Sequence, residues 1–106
     1  VALYDRALEA DPSARAECDR GAALALAARA RIAFSLDDDG KALEEILASF
    51  ERDPLAAGDR DGAGITPGET AQVLQNRLRE RKKEEELKRL ETAMAGIDPE
   101  LLRYDR

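Results

Sequence analysis

No glycine or proline interrupts the run from Glu69 to Ala95, and both ends of that run carry helix punctuation. Thr66-Pro67-Gly68-Glu69 fits a capping box, in which the Thr66 hydroxyl accepts the Glu69 N–H and the Glu69 carboxylate reaches back to the Thr66 N–H. Pro67 falls at the first helical position, where its missing N–H costs nothing. Gly96 and Pro99 supply the stop. The expectation is one long helix over 67–95, about 29 residues or roughly 43 Å at 1.5 Å per residue, preferred over a helix that breaks near the charged run with its second half folded back.

The apolar residues of this stretch change face. Ala71, Leu74 and Leu78 form one stripe, and Leu87, Leu90 and Met94 form another. The two stripes are out of phase by about half a turn at 100° per residue. Between them Arg79 to Glu86 contains no apolar residue. Its i,i+4 pairs, Arg81–Glu85, Lys82–Glu86, Glu84–Lys88 and Glu85–Arg89, each support a solvated helix by about 0.2–0.5 kcal/mol. A continuous helix would dock its first half on its own domain. It would leave Leu87, Leu90 and Met94 to lie in a partner's groove or to pair with a second copy.

Ahead of the long helix the chain reads as shorter helices. Helices are expected over 2–10, 12–34 and 41–52, then a short turn from Pro54 through Ala57 and a flexible loop over 58–65; a short helix from Pro99 follows the long one. The alanine-rich centre of 12–34 is apolar on nearly all sides, which marks a buried helix. Residues 41–52 form the cleanest amphipathic pattern, with Ala42, Leu43, Ile46, Leu47 and Phe50 on one face. Asp37, Asp38 and Asp39 stand where a helix N-terminus favours negative charge. The fold class expected is all-α: a small bundle or helix-hairpin array with one long C-terminal helix, in one domain over 1–106. Its expected core is Leu3, Leu8, Ala22, Leu24, Leu26, Ile32, Leu43, Ile46, Leu47, Phe50, Leu74 and Leu78.

Composition narrows the function. Charged residues make up 38% of the chain and aromatics 4%, which suits a helical bundle with a thin aliphatic core. The net charge of −6 disfavours nucleic acid and anionic membrane surfaces as partners. Histidine is absent, and with it the commonest general base and metal ligand. No nucleophile–base pair or phosphate-cradling glycine loop is present, so no enzymatic activity and no cofactor are expected. The single cysteine, Cys18, excludes an internal disulfide and fits the cytoplasm. The abundance of Ala, Arg and Asp points to a bacterial source.

Two resemblances bear on function. The segment Ala2 to Pro12, through Tyr4, Ala7, Leu8 and Pro12, resembles the second helix of a tetratricopeptide repeat, which implies a helix-hairpin array whose work is binding other proteins. The stretch Asp59-Arg60-Asp61-Gly62-Ala63-Gly64-Ile65, followed by Glu69, resembles an EF-hand calcium loop shortened by one residue, with Ala63 in place of an acidic ligand. It implies cation binding by Asp59, Asp61 and Glu69. The leading expectation is a non-enzymatic interaction, adaptor or oligomerisation module, its partner another protein or itself; the alternative is a calcium-responsive helical domain. Arg77, Arg79, Arg81, Lys82 and Lys83 form a basic segment able to touch phosphate, neutralised locally by Glu80, Glu84, Glu85 and Glu86.

Overall fold

In a computed structural model, the backbone is described for residues 12–102 and the side chains for residues 17–102. The expected helix over 2–10, with Leu3 and Leu8 of the expected core and the repeat-like Tyr4, Ala7 and Leu8, lies outside the described residues. Among the described residues four α-helices follow in order: α1 (Pro12–Ser35), α2 (Asp39–Arg52), α3 (Pro67–Glu80) and α4 (Glu84–Ala95). Short 3-10 turns at Pro54–Gly58 and Pro99–Leu102 complete the path, and no strand occurs among the described residues.

The long C-terminal helix is therefore two helices. α3 stops at Glu80, Lys82 takes the left-handed conformation (φ 56°), and α4 starts at Glu84 and folds back. The turn is a Schellman closure: the Lys82 N–H donates to the Arg79 carbonyl at 3.1 Å and the Lys83 N–H to the Leu78 carbonyl at 3.0 Å. Magnitudes explain why the fold-back wins. A left-handed non-glycine residue costs about 1–2 kcal/mol, and each lost i,i+4 pair a few tenths. Against this, each large aliphatic side chain moved from water into the core contributes about 1.5–3 kcal/mol. Folding back brings Leu90 and Ile97 into the same core as Leu74 and Leu78, with Leu87 and Met94 packed against it.

The first hairpin closes in the same way. Asp37 is left-handed (φ 66°), its N–H donates to the Phe34 carbonyl at 3.0 Å, and the Asp38 N–H donates to the Ala33 carbonyl at 2.9 Å. α1 and α2 then pack through small residues. Ala22, Ala23, Ala27, Ala30 and Ala33 are buried on α1, as are Ala42, Leu43, Ile46, Ser49 and Phe50 on α2. The Ser49 hydroxyl donates to the Ala23 carbonyl at 2.7 Å across this interface, an approach that small side chains permit. The alanines thus face inward. Leu24 and Leu26 are only half-buried, and Ile32, placed in the core by its hydropathy, is 58% exposed.

At the far end of the bundle two chain segments converge on Gly68, the second residue of α3. A Cβ at Gly68 would lie 2.9 Å from the Leu101 carbonyl oxygen, 3.1 Å from that of Ala57 and 3.1 Å from the Leu102 Cα. These are backbone atoms with little freedom to yield. Gly68→Ala is expected to destabilise the fold by about 1–3 kcal/mol in urea melts. Gly62→Ala, where an added Cβ meets nothing within 4 Å, should be neutral. Equal effects for the two variants would refute the convergence.

Candidate functional site

Leu87, Leu90 and Met94 do not form a free docking stripe. Leu90 is fully buried, and Leu87 and Met94 pack half-buried on the same cluster. α4 lies along both α3 and α2: Glu91 accepts from Gln75 at 3.1 Å, and Arg89 pairs with Glu44 at 2.9 Å. The side chains assigned to a partner thus meet the chain's own second helical layer.

The acidic loop is held by arginines. Asp59 pairs with Arg20 at 2.7 Å and Asp61 with Arg31 at 2.9 Å. The other Asp61 oxygen accepts the N–H groups of Ala63 at 2.8 Å and Ile65 at 3.2 Å, which fixes the turn around left-handed Gly64. Burial pushes the Asp61 carboxyl up, but the Arg31 hydrogen bond and the two backbone donors outweigh it, so it sits below its ordinary value. Glu69 makes the capping box as expected, with the Thr66 N–H donating to its carboxylate at 3.3 Å and the Thr66 hydroxyl accepting the Glu69 N–H at 3.0 Å. Asp59, Asp61 and Glu69 are therefore turned to three different structural tasks. No group of three or more His, Cys, Asp or Glu among the described residues is arranged to hold a metal ion.

The acidic and basic segments meet each other. Asp39, the first residue of α2, has a side chain only 1% exposed. One of its oxygens lies 2.5 Å from Arg77 Nη2, and the other lies 2.9 Å from Arg81 Nη1 and 3.5 Å from Lys83 Nζ. Arg77 also donates to the Phe34 carbonyl at 2.7 Å and stacks 3.5 Å from the centroid of the Phe34 ring, so it closes the C-terminus of α1 as well. Asp37 accepts from Arg81 at 2.6 Å; that bond holds the Asp37 carboxyl below its ordinary value and raises Arg81. Asp38 caps α2 by accepting the Lys41 N–H at 3.1 Å. The aspartates considered as a cation site and the cations considered as a phosphate site thus pin the two hairpin turns together. Arg79 turns instead to Glu91, at 3.5 Å.

Among the described residues three large hydrophobic side chains are exposed, Ile32, Leu36 and Leu55, and the first two share a surface. Ile32, in the last turn of α1, and Leu36, just after its end, are 58% and 75% exposed. With Arg29, Ala33, Asp38 and Lys41 they line a shallow concavity beside the α1–α2 turn. An apolar patch rimmed by charge is the form that interaction sites take. The sequence signal for it was slight, because α1 is apolar around most of its circumference. Only the phase of its alanines, which mark the side of close helix approach, separates the inner face from the outer one.

Comparison with known proteins adds no identity: the chain matches no family model, no curated protein and no solved structure. No helix among the described residues is long and apolar enough to cross a membrane.

Proposed function

We propose that the chain is a non-enzymatic interaction module that binds another protein through the Ile32–Leu36 face of α1. The observation that carries this reading is the exposure of two large aliphatic side chains side by side, in a fold that buries Leu43, Ile46, Leu74, Leu78 and Leu90 completely. Their exposure leaves apolar area in water that contact with a partner would remove, at about 25 cal/mol per Å². The rim supports the same reading, since Arg29, Asp38 and Lys41 offer both signs of charge for orientation. The binding role expected from the α4 stripe passes to α1, because the stripe is occupied within the chain.

The test uses the double variant Ile32→Asp, Leu36→Asp. Both side chains are largely solvent-exposed, so the melting temperature should move by no more than a few degrees. Binding to a partner isolated with the wild-type chain should fall at least tenfold, read by calorimetry. Undiminished binding by a folded double variant would overturn the assignment of this face.

A further inference from the structure

The Lys82 turn carries a second consequence, independent of the α1 patch. We propose that two copies of this chain exchange α4, with α3 and α4 of each copy joined into one continuous helix across residues 81–83. The hairpin and the exchanged form differ mainly at this turn. In both, α4 buries Leu90 against an α2 and an α3; only the chain that supplies those helices changes. The seat for the second copy's α4 is thus already complementary, down to the Arg89–Glu44 pair.

The turn favours exchange in two ways. Lys82 occupies a left-handed conformation (φ 56°) that suits glycine and strains a residue with a side chain. The residues around it, Glu80-Arg81-Lys82-Lys83-Glu84-Glu85, are good helix formers without a breaker. Straightening the turn removes the strain and restores the Arg81–Glu85 and Lys82–Glu86 spacings. Opposing exchange are the contacts of Arg81 and Lys83 with Asp39, which belong to the folded-back turn. Two hinges of marginal stability joined to a preformed seat are the conditions under which identical elements swap between protomers.

The test follows the distance between positions 75 and 91 within one chain. Cysteines replace Gln75 and Glu91 in a Cys18→Ser chain, which is spin-labelled and diluted into excess unlabelled wild-type chain. The mixture is unfolded and refolded at concentrations from micromolar to millimolar. In the hairpin the two positions touch, since Gln75 and Glu91 are hydrogen-bonded at 3.1 Å. In a continuous helix their backbones stand about 24 Å apart at 1.5 Å per residue. The expected result is a dimer by light scattering whose labelled chains show the long distance. Lys82→Gly should weaken that dimer about tenfold per hinge, and so about a hundredfold overall, by relieving the left-handed strain. Ile32→Asp should leave it intact. A dimer that keeps the short distance, or one abolished by Ile32→Asp, would overturn the proposal. So would a wild-type chain and a Lys82→Thr chain that both remain monomeric at every concentration.

Discussion

Leu90→Ala should lower the free energy of unfolding by about 2–5 kcal/mol, a large share of the 5–15 kcal/mol typical of a small domain. Leu90 is fully buried, at the centre of the face that α4 turns toward α2 and α3. Truncation removes its transfer free energy and leaves a cavity bounded by two helices whose ends are fixed by the hairpin turns and the Asp39 junction, so the site has little room to collapse. Leu36→Ala, at a position 75% exposed, should cost less than 0.5 kcal/mol by the usual rule for surface sites. Urea melts of the two variants followed by circular dichroism decide the matter. If Leu90→Ala proves as mild as Leu36→Ala, α4 does not fold back and a projecting helix becomes the better description. The same geometry changes the meaning of Leu90→Asp. For a free stripe it would abolish association and spare the fold; here it places a carboxylate in the core and should unfold α4.

The elements of this fold were legible wherever a capping residue or a breaker marked them. Thr66, Pro67 and Glu69 announced α3 where it stands, whereas α2 begins at Asp39, two residues before the expected 41–52, and the helix expected from Pro99 is a 3-10 turn like the one after Asp53-Pro54. The hairpin between α3 and α4 was the less favoured reading for the complementary reason. Its left-handed residue is Lys82 rather than glycine, so the local code reads straight through a turn that only tertiary burial selects. The half-turn offset between the Leu74–Leu78 and Leu87–Leu90 stripes was the available clue. A helix that reverses direction can present both stripes to one core, whereas a straight one cannot. Burial on α1 was misjudged at Ile32 because hydropathy ranks isoleucine above alanine, while close helix packing prefers the smaller side chain. At the candidate site, the acidic and basic segments were each visible, but that Asp39 would receive Arg77 and Arg81 from α3 and its C-terminal turn depends on which ends of the two hairpins come together. No local pattern encodes that.

Asp39→Asn should cost about 3 kcal/mol, within the range for removing one partner of a buried charge pair. The substitution keeps shape and removes charge. It leaves the Arg77 guanidinium, whose side chain is 16% exposed, facing a neutral amide and retaining the Phe34 carbonyl and ring. Arg81 and Lys83 are more exposed and regain water readily, so most of the cost lies in the Asp39–Arg77 contact. Asp37→Asn is the matched control. Its carboxylate is 67% exposed and bonds the same Arg81, yet its loss strands no buried charge, so the stability change should be far smaller. The pair can be isolated by a double-mutant cycle with Arg77→Met, which keeps apolar contact with the Phe34 ring and removes the guanidinium. Arg77→Met alone leaves Asp39 with two more distant, half-solvated cations. The double variant buries no opposed charge at this point and should be more stable than the sum of the single losses predicts, by at least 1 kcal/mol. Additive losses, or an Asp39→Asn variant no weaker than Asp37→Asn, would mean that the junction holds the two turns together by packing and that the charge on Asp39 contributes nothing to it.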